Sequence, residues 1–75
     1  TLKMFPNPYQ FAIQMENPSN ENHVITVFNT MGQMLDQVNV EPFGTLLWED
    51  QFANGVRIFV IESESNKQVF KAVKR

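Results

Sequence analysis

Apolar side chains in this chain recur at every second position in short runs, and Gly, Pro or Asn cuts each run off. Successive side chains on a strand point to opposite sides, so this period marks strands with one buried face. No segment carries the i, i+3, i+4, i+7 apolar stripe of a helix. Phe11, Ile13 and Met15 alternate with Ala12, Gln14 and Glu16, which predicts a strand with the first three turned inward. Residues 23–28 are dense in β-branched and aromatic side chains and read as a strand buried on both faces, or nearly so. Further strands are expected at 2–5, 33–40, 45–48, 55–62 and 68–75, the last two joined by the polar turn 63–67. The turn signals are the wholly polar segment 17–22, Gly32, Pro42-Phe43-Gly44 and Asn54-Gly55. Gly32 is expected to supply the positive φ of a tight hairpin. Seven short strands punctuated in this way predict an all-β chain: a single antiparallel Ig-like β-sandwich, preferred over a small barrel.

With 75 residues the chain is expected to be one domain, and one of its size buries only about 60–65% of its unfolded surface. Small domains often add disulfides or a metal, but this chain has no cysteine and one histidine. Its core must come from apolar packing, with seven Phe, four Met, one Trp and one Tyr to supply it. The absent cysteines also make any immunoglobulin likeness architectural. A net charge of −2 argues against a general nucleic-acid binder, which needs a basic face. No apolar run is long enough to span a membrane, so no membrane insertion is expected. The basic residues are unevenly placed: Lys67, Lys71, Lys74 and Arg75 fall in the last nine positions. Thr1 begins neither a signal peptide nor a natural start, so a fragment or processed product of a larger protein is expected.

Nothing in the sequence assembles a reaction centre. A triad or metal site around His23 would need partners at the right spacing, so it is expected to be an exposed structural residue. Glu49-Asp50 and the pair Glu62/Glu64 lack the alternating oxygen ligands of a calcium loop and read as solvated turn residues. Trp48, beside Leu46 and Leu47, is expected in the core or at a sheet edge rather than as a sugar platform. Asn17-Pro18-Ser19 is barred from glycosylation by its proline, and three isolated glycines cannot cradle a phosphate. Alternation puts Lys67, Val69, Lys71 and Val73 on one face of the last strand, and Gln68, Phe70, Ala72 and Lys74 on the other. Neither face is a continuous cationic stripe, so a solvated edge strand is the expectation. No catalytic, cofactor or metal site is expected.

Four landmarks carry a family resemblance. Phe5-Pro6-Asn7-Pro8 resembles the aromatic-Pro-Asn-Pro opening of type A C-terminal sorting domains of the type IX secretion system. The segment from Val24 to Leu35, with Gly32 in its turn, resembles that family's strand–turn–strand block. Asn54-Gly55-Val56 and the strand that follows resemble its Gly-Val-Tyr block, and Val69 to Arg75 resembles its closing strand. Arg57 stands where the family usually has Tyr, Val60 where it often has Arg or Lys, and Tyr9-Gln10 where a Gly is usual. Leu47-Trp48-Glu49 followed by Asn54-Gly55-Val56 also resembles the Ig-like domain of flagellar hook-capping proteins.

The resemblance implies a domain that carries an attached cargo through the periplasm and across the outer membrane to the cell surface or exterior. It implies a partner in the type IX translocon or an outer-membrane shuttle protein, and a sortase-like peptidase that removes the domain from many cargoes. Gly55, Val56, Ile58, Phe59, Val69, Lys71, Val73, Lys74 and Arg75 are expected as the recognised surface or its immediate support. Pro6, Asn7 and Pro8 are expected to shape the entry to the sandwich, since proline restricts itself and its predecessor. Unpaired edge strands leave weak dimerisation through a sheet edge open. The other reading is an Ig-like spacer or adhesion module binding protein or carbohydrate at the cell surface, which would show an exposed aromatic platform such as Trp48 or Tyr9.

Overall fold

The computed structural model describes residues 2–75. Seven strands run in the order β1 (Lys3–Phe5), β2 (Ala12–Glu16), β3 (His23–Phe28), β4 (Met34–Val40), β5 (Thr45–Glu49), β6 (Gly55–Glu62) and β7 (Lys67–Lys74). They form two antiparallel sheets, β1-β2-β5 and β4-β3-β6-β7, packed as a small Ig-like sandwich. The β3–β4 and β6–β7 hairpins stay within the larger sheet, while the chain crosses between sheets after β2, β4 and β5. The last strand, β7, therefore lies on an edge with β6 as its only strand partner among the described residues.

Parity along each strand decides which side chains meet. Ile13 and Met15 of β2, Ile25 and Val27 of β3, Phe59 and Ile61 of β6 and Ala72 of β7 share the core with Leu2, Tyr9, Val40 and Trp48. Trp48 meets Phe59 edge to face across the sandwich, with ring centroids 5.6 Å apart. The Trp48 indole N–H also donates to Asp36 Oδ2 at 2.8 Å, which ties β5 to β4 of the opposite sheet. At the β3–β4 hairpin, Gly32 takes φ 82°, and the Asn29 side-chain oxygen accepts from the N–H groups of Met31 and Gln33. A register shift at Val27/Phe28 then pairs Phe28 with Met34, on the outer face.

Three sequence expectations fail here for identifiable reasons. Phe11 is 78% exposed, because β2 begins only at Ala12 and Phe11 still belongs to the loop. Its backbone C=O has a role instead, accepting from Asp50 N–H. His23 is structural but buried, not exposed: it opens β3 on the inward parity, opposite Val40. Its Nδ1 lies 3.0 Å from the Glu21 carbonyl. Asp50 is not a solvated turn residue, and its carboxylate is fully enclosed. Glu49, Glu62 and Glu64 do lie at the surface. The polar segment after β2 is anchored through buried Asn17, whose amide donates to the carbonyls of Glu21, Val40 and Glu41.

The turn between β4 and β5 puts Phe43, rather than Gly44, in the left-handed region at φ 57°. A bulky L-residue there costs about 1–2 kcal/mol, and the exposed Phe43 ring recovers little of that in packing. Replacing it with asparagine, which tolerates this conformation, should raise the melting temperature by roughly 4–8 °C per kcal/mol recovered, as thermal circular dichroism would read it.

Candidate functional site at the terminal hairpin

In β6, Arg57, Phe59 and Ile61 face the core, whereas Val56, Ile58, Val60 and Glu62 face out. In β7, Gln68, Phe70, Ala72 and Lys74 face in, and Lys67, Val69, Lys71 and Val73 face out, as alternation predicts. The register sets Val56 opposite Val73, Ile58 opposite Lys71 and Val60 opposite Val69. The outer face of the hairpin is thus a valine- and isoleucine-rich strip, edged by the lysines of β7.

Arg57 is buried at the inner end of this hairpin, and Asp50, on the loop between β5 and β6, neutralises it. Arg57 donates through Nε to Asp50 Oδ2 at 2.9 Å and through Nη2 to Oδ1 at 3.3 Å, a two-pronged contact. The Tyr9 hydroxyl donates to the same Oδ2 at 2.5 Å, and Phe52 N–H donates to Oδ1 at 3.0 Å. Arg57 also bonds the Ala53 and Val56 carbonyls. Lys74 is turned inward, donating to the Asp50 and Phe52 carbonyls at 2.6 and 2.5 Å with its Nζ 3.6 Å from Asp50 Oδ1. Among the described residues, no buried side-chain nitrogen or oxygen lacks a partner.

This cluster joins the opening segment, the β5–β6 loop and both strands of the hairpin. Gly55, at φ 148°, lets the loop enter β6 directly opposite Lys74. The C-terminal half of the β7 edge is closed by the Pro-Asn-Pro segment and Tyr9. The Asn7 side chain donates to the Lys71 carbonyl and accepts from Val73 N–H, both at 3.2 Å, as a peptide group of a neighbouring strand would. Tyr9 N–H donates to the Val73 carbonyl and Arg75 N–H to the Tyr9 carbonyl, at 2.9 and 2.8 Å, forming an isolated parallel bridge. Both X–Pro peptide bonds in the segment are cis.

The expected recognition residues thus divide. Val56, Ile58, Val69, Lys71 and Val73 form the outer face, and Arg75 is exposed beside them. Phe59 and Lys74 lie beneath them, one in the core and the other in the polar clamp. Asp50 and Tyr9 are the members that sequence reasoning missed. A signal for them existed, since Arg57 shares parity with Phe59 and Ile61, and an inward arginine demands a carboxylate.

Residues 3–75 match the model of the secretion system C-terminal sorting domain. The chain belongs to that family, the sorting domains of type IX secretion. A search of curated proteins finds no match to it. As a C-terminal sorting domain, the chain is a signal for type IX secretion, which implies interaction with that machinery and export to the cell surface or exterior. In this sorting domain, Arg57 is buried together with its counter-charge.

Burial pushes the Asp50 carboxyl up, but hydrogen bonds from Tyr9, Phe52 and Arg57, with the arginine charge, outweigh it and hold the group below the usual carboxylate range. Burial and the neighbouring Asp50 push the Tyr9 phenol well above its ordinary value. A lowered carboxyl contributes stability above its unfolded value of about 3.9 and loses it as the pH falls through the folded value. A raised phenol contributes below about 10 and loses it as the pH rises through the folded value. Urea midpoints should therefore be level from about pH 5 to 9 and fall on either side, with the alkaline fall shrinking in Tyr9→Phe. Asp50→Asn should cost about 3–5 kcal/mol by stranding Arg57, and Arg57→Met in the same chain should restore part of that loss in equilibrium unfolding.

Proposed function

We propose that the chain is the C-terminal domain of a larger secreted protein, and that the type IX machinery reads the outer face and edge of its terminal hairpin. The observation that carries this reading is the clamping of β7. Asn7, Tyr9 and the Asp50–Arg57–Lys74 cluster hold the strand from one side, while Val56, Ile58, Val69, Lys71, Val73 and Arg75 stay exposed or half-exposed on the other. A face held in one geometry can be recognised without the ordering cost of a flexible tail.

In this reading Gly55, Phe59 and Lys74 support the surface, Pro6, Asn7 and Pro8 lock its edge, and Gly32 shapes the neighbouring hairpin. The domain folds in the periplasm, binds a translocon or shuttle component, and is then removed by a sortase-like peptidase or kept. It acts by binding and performs no catalysis. No observation favours the adhesion-module reading, because Trp48 and Tyr9, its candidate platforms, are both buried.

Truncation would be a poor test, because removing 71–75 also removes half of β7 and its clamp. Val73→Glu and Arg75→Glu alter exposed side chains and leave the clamp in place. In the parent cargo protein, either change should trap cargo in the periplasm while the circular dichroism of the isolated chain stays unchanged. Normal surface display of both variants would overturn the reading.

A further inference from the structure

The edge of β7 is only half closed. Lys71 C=O, Val73 N–H, Val73 C=O and Arg75 N–H all point away from β6, toward Asn7 and Tyr9. Hydrogen-bonding direction alternates along a strand, so the backbone groups of Lys67 and Val69 point the same way. Lys67 N–H is taken by the Asn66 side chain. The Lys67 C=O, both groups of Val69 and the Lys71 N–H bond nothing among the described residues. Beside them lies a groove of about 510 Å³ between the edges of the two sheets, lined by Leu2, Met4, Ile61, Gln68, Val69 and Phe70. Val69 itself is 62% exposed.

We infer that this open half-edge is a strand-addition site for an extended segment of another protein, apolar on its inner face and acidic opposite Lys67 and Lys71. The inference rests on the sorting reading and names the chemistry of the partner. Main-chain hydrogen bonds to Lys67, Val69 and Lys71 supply the pairing, and the Leu2–Phe70 groove takes alternate side chains of the added strand. Charge selects the occupant. A second copy pairing antiparallel about Val69 would set Lys67 against Lys71 of its twin, and like charges directly opposite each other disfavour it. Glu62 lies across from Lys67 on β6, but the residue across from Lys71 is Ile58, which leaves that ammonium without a carboxylate in the ladder. Edge lysines serve in many sheets to discourage pairing. Here the same lysines discourage self-pairing while favouring an acidic strand. Asn7 and Tyr9 set where the added strand must stop.

The test uses a short acetylated peptide alternating glutamate with valine, and its lysine-for-glutamate counterpart, titrated into the isotope-labelled chain. The glutamate peptide should shift the Val69 and Lys71 amide signals and slow their hydrogen exchange, and the lysine peptide should not. Val69→Pro removes only an outward N–H, which an edge strand tolerates, and should abolish binding without unfolding the sheet. Lys71→Glu should weaken the glutamate peptide by about fivefold, as expected for an exposed charge pair. No binding, equal binding of both peptides, or full binding to a folded Val69→Pro chain would each overturn the site. Should the proline variant unfold, Lys67→Glu with Lys71→Glu decides instead: retained preference for the glutamate peptide overturns the proposal. In the parent protein, normal export with Val69→Pro but not with Val73→Glu would sink strand addition and leave the sorting reading standing. Normal export with both would sink both.

Discussion

The pairing of Asp50 with Arg57 is the contact on which the rest of this molecule depends. An arginine on the inward parity of β6 cannot stay charged in an apolar sandwich without a fixed counter-ion. Asp50 supplies it, and is itself satisfied by Tyr9 and Phe52, so the hydrogen-bonding capacity of both ions is largely used. The loop between β5 and β6 is thereby tied down, and with it the carbonyls that receive Lys74. A domain with no disulfide closes its last strand through one ionic cluster.

That arrangement explains how a small sandwich can present a terminal strand in a defined pose. Edge strands near chain ends usually fray, because half of their backbone groups face water. In β7 the C-terminal half is held by a side-chain amide and a single bridged residue from the opening segment, while the N-terminal half has its hairpin turn. Fold and function meet in this division. The core positions β6, the polar cluster positions the end of β7, and the outer face is left for a partner in type IX secretion.

Much of this was legible in the chain. The turn residues separated seven strands, and alternation sorted the side chains of β7 into its two faces, with Lys74 on the same face as Phe70 and Ala72. The errors were local. Phe11 matched the parity of β2 but falls before its first ladder pair, and His23 stands at the end of a polar loop but inside the first pair of β3. A period says which side a residue faces only where the strand exists, and strand ends are set by pairing with distant segments.

The sequence by itself determined the fold class, the alternating faces of β7 and the family, because these rest on local periodicity, turn chemistry and ordered motifs. Only the tertiary structure decided what Asp50, Tyr9 and Asn7 are for. Tyr9 meets Asp50 across 41 positions of chain and Asn7 meets Val73 across 66, distances that no local pattern encodes. A carboxylate beside a turn looks the same in sequence whether it ends in water or under an arginine. The packing of the two sheets selects between these outcomes, because it encloses Arg57 and makes its desolvation worth a partner.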